Sequence, residues 1–498
     1  MADTGGHERS PPPQLCLPKP EEDASPSSTL ASTPPASPSP YLKAEAPLWG
    51  ADARESQLLD AQARAKVKIL QRSPDDGIDD PERHLVRQIV ESEDLDDPFV
   101  LVDLQKVIEQ FKRWRRLLPR VTPFYAVKCN PDPVIIQLIA SLGGCFDCAS
   151  KGEIKQVLDL GVPPTQIVYS NPCKQVSHLK FARDQGVALT VFDNKDELHK
   201  IKAHHPDAEL MLRIWTDDSM LSETGALSVK FGALPDTWGA LLDIAKGLQL
   251  SVVGVHFHVG SGCRHAGAFT EALNNAHRVF DLAEKRGFTF KYLDIGGGFP
   301  GEMPGSTRHE GMPQFEDLAA EITPLLTDLF PKEIAVLGEP GRYFATACQT
   351  LAVKVFAKRA PVRRKSLSAV IRLSETQNDQ DATRFIYYLN EGFYGAFNCI
   401  KNDNHEATPE LLNPRDEETT TKYDSLVFGP TCDGIDIILK EYPLPELKVG
   451  EWLLFRDMGA YTTSSSCNFN GFAKALSRYC RIIPPPSPHR RHTPSRVV

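Results

Sequence analysis

One lysine, Lys128, directly follows a short run that is typical of a buried strand. Phe124, Ala126 and Val127 are apolar, and Asn130-Pro131 ends the run, so the lysine falls at the carboxyl end of the predicted strand. A lysine amine can attack a carbonyl carbon, and this end of the strands is where α/β barrels carry their chemistry. The alternative is an ordinary charged side chain that reaches solvent.

A run of glycines, Gly296-Gly297-Gly298, follows the predicted strand 292–295. The segment fits the GxGxxG pattern of dinucleotide-binding proteins, with Glu316 about twenty residues further on. That interpretation fails because Pro300 and Pro304 interrupt the helix that should begin there. No Gly-Lys-Ser/Thr follows either, which excludes a Walker loop. What remains is a glycine-rich cradle for a phosphate, with a simple tight turn as the alternative.

Two further predicted strand ends carry polar residues. His256 and His258 lie on one face of the first, with Ser261 beyond them, and the sequence indicates no third ligand for a metal site. Glu339 and Arg342 lie at the second of these strand ends. Their alternative role is to form an ion pair with each other. With the lysine and the glycines, these groups describe one pocket at the carboxyl ends of the strands.

Pyridoxal 5′-phosphate is a cofactor that would use all of these groups. Lys128 would bind its aldehyde covalently. The glycine run, Ser261 and Arg342 would hold its phosphate. Glu339 would keep its ring nitrogen protonated, and His258 would stack on its ring.

The elements that must position these residues alternate between strands and helices. Strand-like segments are predicted at 97–103, 144–147, 167–170, 189–192, 209–214, 252–258, 290–295 and 335–338. Helical spacing is predicted at 104–118, 153–160, 177–185, 195–203, 268–286 and 315–322. The alternation predicts an α/β fold built on a (β/α)8 TIM-like barrel, with a doubly wound sheet as the alternative.

After Thr346 the predicted strands lack intervening helices, which is typical of a mainly antiparallel β-barrel domain. These strands are predicted at 351–357, 369–373, 384–389, 425–428 and 452–455. The predicted organisation is a Pro/Ser-rich disordered arm (1–78), an N-terminal segment of the β domain (79–103), the cofactor-binding barrel (104–345), the β domain (346–482) and a disordered tail (483–498).

Composition narrows the class of protein. The net charge of −9 argues against nucleic acid as a partner, so a small ligand is favoured. Eleven cysteines, an odd number, are typical of reduced thiols inside cells. No apolar run has the length of a membrane span and no signal-peptide pattern is present. The arm contains several acidic residues, which argues against a transit peptide, so we expect a cytoplasmic protein.

A series of motifs in this order resembles the eukaryotic ornithine decarboxylase family of fold-type III pyridoxal-phosphate enzymes. The motifs are PFYAVKCN, FDCASKGEI, NPCKQ, HVGSGC, LDIGGGFPG, GEPGRY, YGAFNCI, GPTCDGID and FNGF, and they lie within residues 96 to 480. The resemblance implies a homodimer whose subunits each combine a (β/α)8 barrel with a β-barrel domain. It places the active sites at the dimer interface.

The resemblance also implies roles for individual residues. Lys128 and His258 are implied in catalysis with Cys432, which would be the proton donor in the neighbouring subunit's site. The implied cofactor-binding residues are Lys128, Asp147, Arg213, His258, Ser261, Gly297, Gly298, Glu339, Pro340, Gly341, Arg342 and Tyr461. The implied substrate-binding residues are Asn402, Asp403 and Asp433. Without the resemblance, Cys432 would be interpreted as a buried packing residue.

The chain departs from the family at two places. Asn402-Asp403-Asn404 stands where relatives have Tyr-Asp-His, which keeps the carboxylate but leaves the amino-acid preference less secure. The segment after Cys480 is rich in Pro, Arg and His and does not resemble the acidic tail of animal members, so antizyme binding stays open.

The predicted function is decarboxylation of L-ornithine to putrescine. The alternatives are a lysine, arginine or diaminopimelate decarboxylase on the same scaffold and an inactive regulator that resembles antizyme inhibitor. The presence of Lys128, Asp147, Cys432 and Asp433 argues against the regulator.

Overall fold

The computed structural model describes residues 66–217, 227–263, 265–306, 313–363, 383–416 and 420–485. Most of the predicted N-terminal arm, the strand predicted at 369–373 and most of the predicted C-terminal tail lie outside these residues. In the described part of the chain, no helix is both long and apolar enough to cross a membrane.

The first described segment corrects the predicted arm, because it contains the strand β1 (Val67–Gln71). This strand pairs in parallel with Leu476–Ile483, with Val67 opposite Tyr479. A helix, Pro81–Ser92, follows, and the strand β2 (Phe99–Asp103) leads directly into the helix Leu104–Leu117. The Asp103 side chain accepts from the backbone N–H of Gln105 and so caps that helix.

Eight parallel strands close into a barrel, which confirms the predicted fold class. They are β3 (Val121–Ala126), β4 (Cys145–Cys148), β5 (Ile167–Tyr169), β6 (Leu189–Phe192), β7 (Glu209–Arg213), β8 (Ser251–His256), β9 (Tyr292–Asp294) and β10 (Ala335–Gly338). Side chains such as Phe124, Leu189, Met211 and Leu337 fill the interior, so the barrel is a packed core rather than a pore.

Helices connect the barrel strands. They are amphipathic, with their apolar sides facing the barrel. The helices of eight or more residues in this region are Pro133–Ser141, Lys151–Asp159, Val176–Asp184, Lys195–His204, Trp238–Gly247, Ala266–Glu284 and Phe315–Leu329. The last helix runs further than the predicted 315–322 and continues through Pro324. A single turn, Arg342–Ala345, leads out of the barrel.

The second sheet is mainly antiparallel, as predicted, and in the described residues it has nine strands. Its remaining members are β11 (Gln349–Arg363), β12 (Thr383–Leu389), β13 (Pro409–Leu411), β14 (Lys422–Phe428), β15 (Ile437–Pro445), β16 (Trp452–Phe455) and β17 (Leu476–Ile483). The parallel pairs are β1 with β17, β17 with β2, and β12 with β14. Because β2 pairs with both β11 and β17, the chain before the barrel supplies a strand to the sheet after it.

Candidate active site

The candidate site lies at the carboxyl ends of the barrel strands. Lys128 lies in one 3₁₀ turn, Val127–Cys129, directly after β3, so the strand ends two residues earlier than the sequence indicated. Its Nζ donates to Oδ2 of Asp147, which is in β4. Asp147 is fully buried, whereas the Lys128 side chain is 37% exposed and open to a ligand.

The charges of this pair depend on their surroundings. Burial alone would lower the pKa of Lys128, but the carboxylates of Asp147 and Glu339 raise it above its ordinary range. Burial and the nearby Glu339 raise the pKa of Asp147, and the ammonium opposes this rise. Oδ1 of Asp147 is buried without a hydrogen-bond partner in the described residues, so it is left for a ligand.

Glu339 follows β10 directly and is buried, as is Pro340 after it. One of its oxygens, Oε2, lies 3.3 Å from Nε2 of His256 at the end of β8. Burial would raise the pKa of Glu339, but His256 and Lys128 lower it below its ordinary range. Glu339 is therefore an ionised carboxylate, and its other oxygen, Oε1, is buried without a hydrogen-bond partner in the described residues.

Asp294, at the end of β9, is a member of the site that the sequence interpretation missed. Its position at a predicted strand end, two residues before the glycine run, was the available signal. One atom able to ligate a metal on each of His256, Asp294 and Glu339 lies within 4.8 Å of the other two. This corrects the expectation that no further ligating group accompanies the histidines. Burial and the nearby Glu339 raise the pKa of Asp294 well above its ordinary range. That the site holds no metal stays a prediction.

His258 lies two residues beyond β8 with its ring held in place. Its Nδ1 accepts from the backbone N–H of Gly260 at 2.9 Å. Burial and the positive charge of Arg213 lower the pKa of His258 to about 3, so the imidazole is neutral and suited to stacking on a ring. Arg213 itself ends β7, where its guanidinium lies 5.1 Å from the centre of the Phe231 ring.

The glycines allow backbone segments to approach closely around the pocket. A Cβ atom on Gly297 would lie 2.8 Å from Nε2 of His258, and one on Gly341 would lie 2.8 Å from Cβ of Cys129. Gly298 has a φ of 108°, a conformation that favours glycine. These contacts explain why glycine is needed at these positions. That the glycine run binds the phosphate of the cofactor remains a prediction.

Arg342 joins several predicted site residues. Its Nη2 donates to Oγ of Ser261 at 2.9 Å and lies 2.6 Å from Oδ1 of Asp403. Its guanidinium lies 5.3 Å from the centre of the Tyr461 ring. The backbone N–H of Tyr461 donates to the carbonyl of Cys129, the neighbour of the key lysine. The predicted phosphate and substrate groups therefore meet at this arginine.

The unusual Asn402-Asp403-Asn404 sequence has a local structural basis. A short helix, Cys399–Asn402, ends here, and the backbone N–H of Asp403 donates to the carbonyl of Cys399. Asn404 has a φ of 50°, in the left-handed region that asparagine tolerates better than most residues. Asn402 is exposed, whereas the Asp403 side chain is only 14% exposed.

Cys432 and Asp433 lie in the loop after β14, in a separate group from Lys128. Cys432 is exposed, and its backbone N–H donates to Oδ1 of Asn470 at 3.0 Å. Asp433 accepts a hydrogen bond from the Tyr394 hydroxyl. Without the family resemblance, Cys432 would have been interpreted as a buried packing residue, and its exposure shows that this interpretation is wrong. Its role in the active site of a partner subunit remains a prediction.

The residues present fit pyridoxal phosphate. A lysine ammonium lies beside a buried carboxylate, and an ionised glutamate has one buried oxygen, Oε1, without a hydrogen-bond partner in the described residues. A neutral imidazole and a serine-arginine pair lie on the neighbouring strand ends. These are the donor and acceptor types that its aldehyde, ring nitrogen, ring face and phosphate require.

Comparison with known proteins agrees with this chemistry. The family described as "Pyridoxal-dependent decarboxylase, pyridoxal binding domain" matches residues 104–346. Rat ornithine decarboxylase is 44% identical over 387 residues, 77% of this chain and 81% of the relative. Antizyme inhibitor 2 of Xenopus laevis is 43% identical over 397 residues, 79% of this chain and 83% of the relative.

Solved structures are similar as well. The arginine decarboxylase of Paramecium bursaria Chlorella virus superposes with a TM-score of 0.71 at 34% identity, covering 80% of this chain and 100% of the viral chain. The resemblance and the cofactor predicted from the sequence are thus confirmed. The chain belongs to the ornithine decarboxylase family of fold-type III pyridoxal-phosphate-dependent decarboxylases.

Proposed function

We propose that this protein is a carboxy-lyase that converts L-ornithine to putrescine and CO2 in polyamine biosynthesis. The observation that carries the proposal is the Lys128–Asp147 pair facing an ionised Glu339 at the carboxyl ends of the barrel strands. This arrangement lies in a chain that is 44% identical to rat ornithine decarboxylase.

Each residue has a defined task in this proposal. Lys128 binds the aldehyde carbon of the cofactor, and Glu339 accepts a hydrogen bond from the ring nitrogen. His258 stacks on the ring, while Ser261 and Arg342 hold the phosphate. When bound, pyridoxal phosphate accepts the electron pair that is left at the α-carbon as CO2 departs.

A homodimer completes the site in this proposal. Cys432 of one subunit delivers a proton to the α-carbon at the site of the other. Asp433 and Asp403 bind the distal ammonium of the substrate through charge-assisted hydrogen bonds, with Asn402 beside them. The exposure of Cys432 supports this, because an exposed side chain is available to a second subunit. We propose the cytoplasm as the location.

The purified protein tests the proposal directly. With pyridoxal phosphate, we expect one putrescine and one CO2 for each ornithine consumed, and we expect the rate to disappear when the cofactor is removed and to return when it is added back. Failure to release CO2 from any of ornithine, lysine, arginine or diaminopimelate would overturn the proposed activity.

A second candidate function is an inactive regulator, which the similarity to a frog antizyme inhibitor favours. The Lys128–Asp147 pair argues against it, since a protein without catalysis has no need of a lysine held beside a buried carboxylate. Visible absorbance of the purified protein separates the two candidates. A cofactor band that responds to ornithine supports the enzyme, and the absence of any band supports the regulator.

A further inference from the structure

His256 is a buried histidine in contact with the cofactor-binding glutamate. It is fully buried at the end of β8. Its Nε2 lies 3.3 Å from Oε2 of Glu339 and 3.2 Å from Oγ of Ser170. Its Nδ1 is buried and has no hydrogen-bond partner in the described residues. All of its hydrogen bonding is therefore at Nε2.

The contact with Glu339 determines which nitrogen carries the proton. An ionised carboxylate can only accept a hydrogen bond, so Nε2 of His256 must be the donor. Burial lowers the pKa of His256, which keeps the ring neutral and leaves Nδ1 without a proton. The alternative tautomer would place two acceptors, Nε2 and Oε2, against each other.

The second oxygen of Glu339 is left for the cofactor. Oε1 is buried and has no hydrogen-bond partner in the described residues. Asp294 lies close to the same carboxylate, and burial raises the pKa of Asp294 well above the ordinary range, which favours its neutral form. The two oxygens of Glu339 are thus distinct: His256 binds one, and the other is available.

We propose that His256 is a positioning residue that holds Glu339 by one carboxylate oxygen so that the other meets the ring nitrogen of the cofactor. This inference rests on the proposed function only for the presence of that cofactor. Without the Nε2 donor, the carboxylate is free to rotate, and its hydrogen bond to the ring nitrogen weakens.

Two cofactors that differ in one atom test this inference. The full-length chain, stripped of cofactor, is titrated with pyridoxal phosphate and with an analogue that has carbon in place of the ring nitrogen. A hydrogen bond to a charged group is worth roughly 10- to 100-fold in affinity, so we expect the unmodified chain to prefer pyridoxal phosphate by about that factor.

Two substitutions at His256 differ in where they place an amide. In His256→Gln the amide nitrogen reaches the position of Nε2, and we expect the preference to stay within about threefold of the original. In His256→Asn it reaches only the position of Nδ1, and we expect most of the preference to disappear, a loss of about tenfold or more. Equal weakening of both compounds by His256→Asn would overturn the inference, because general damage does not depend on one ring atom.

His205 provides a matched control. It is also a buried histidine with a hydrogen bond at Nε2, to the carbonyl of Val187 at 3.0 Å, but it lies at the end of the helix Lys195–His204. We expect His205→Asn to lower the melting temperature and leave the cofactor preference unchanged. A similar loss of preference in this variant would contradict a specific role for His256.

The tautomer can be measured without any substitution. Nitrogen NMR of the histidine-labelled, cofactor-free protein near neutral pH should show His256 as neutral with its proton on Nε2, and this result decides the matter if His256→Asn does not fold. A proton on Nδ1 alone would overturn the inference. Failure of the unmodified chain to bind pyridoxal phosphate would overturn the proposed function as well, whereas the other adverse outcomes leave it standing.

Discussion

Arg342 and Asp403 form an ion pair, with Nη2 of the guanidinium 2.6 Å from Oδ1 of the carboxylate. The pair joins a residue predicted to bind phosphate to a residue predicted to bind substrate. Burial would lower the pKa of Arg342, but Asp403 raises it above its ordinary range, so the arginine stays charged. Oδ2 of Asp403 is buried without a hydrogen-bond partner in the described residues, which leaves it for a ligand cation.

The first prediction follows from this pairing. Asp403→Asn removes the negative charge that meets the distal ammonium of ornithine, so we expect KM to rise roughly 10- to 100-fold. Cofactor affinity should not fall, because Arg342 loses a competitor for the phosphate. Steady-state kinetics and a cofactor titration measure the two effects. Asp243→Asn, which breaks the surface pair with Arg286, is the control and should change neither. A lower cofactor affinity with unchanged KM would contradict the assignment of Asp403.

The second prediction concerns Lys128→Ala. We expect no detectable turnover, because the covalent attachment of the cofactor is lost. The protein should stay folded, since the lysine side chain is partly exposed and burial already raises the pKa of Asp147, which can become neutral when its partner is removed. Activity and thermal unfolding are measured beside Lys155→Ala, a change at an exposed helix pair. Full activity in Lys128→Ala would refute the assignment of this lysine.

The third prediction concerns Glu339→Ala. Without its carboxylate the ring nitrogen loses its proton and accepts electrons poorly, so we expect kcat to fall by about 100-fold while KM for ornithine changes little. Glu339→Gln keeps the shape and removes the charge, and it should resemble the alanine variant. Stopped-flow and steady-state rates measure the effect. An unchanged kcat in both variants would show that another group holds the ring nitrogen.

The bounds of three uniformly buried strands could be predicted from the sequence. Leu189–Phe192, Ala335–Gly338 and Trp452–Phe455 have the bounds expected from their apolar runs. β1 (Val67–Gln71) could not be predicted in the same way, because none of its residues is fully buried and its partner lies more than four hundred residues away at Leu476–Ile483. Such a pairing leaves no local signal.

The site was predictable as a set of strand ends but not as a set of contacts. Lys128, His258 and Glu339 were identified from their positions after predicted strands. Glu339 lies close to His256 and Asp294, and these three residues come from separate strands that only barrel closure brings together. Burial and its effect on pKa likewise depend on packing that no local pattern encodes.

The fourth prediction tests the shared site. Lys128→Ala and Cys432→Ala are each expected to be inactive alone. Because random exchange gives half mixed dimers, each with one intact site, an equal mixture should recover about a quarter of the original activity. Activity is followed after mild dissociation and reassociation, with differently tagged subunits to prove that exchange took place. No recovery after proven exchange would show that both residues act within one chain.

The choice of substrate follows from charge and length. Two aspartates, Asp403 and Asp433, suit a distal ammonium, whereas the distal carboxylate of diaminopimelate would be repelled by them. Arginine requires a wider, bidentate arrangement for its planar guanidinium. Lysine is harder to reject, because it differs from ornithine by one methylene.

The fifth prediction is therefore a graded preference. One methylene in a shaped pocket is worth only about 1–3 kcal/mol, so we expect kcat/KM for ornithine to exceed that for lysine by roughly 10- to 200-fold. Arginine and diaminopimelate should be nearly inert. Asn404, directly after Asp403, has a φ of 50°, a left-handed conformation that belongs to the turn carrying this carboxylate. Competition among the four amino acids measures the preference directly. A higher kcat/KM for lysine, arginine or diaminopimelate would refute the substrate assignment and leave the cofactor assignment intact, because the groups that bind the distal amine are separate from Lys128 and Glu339.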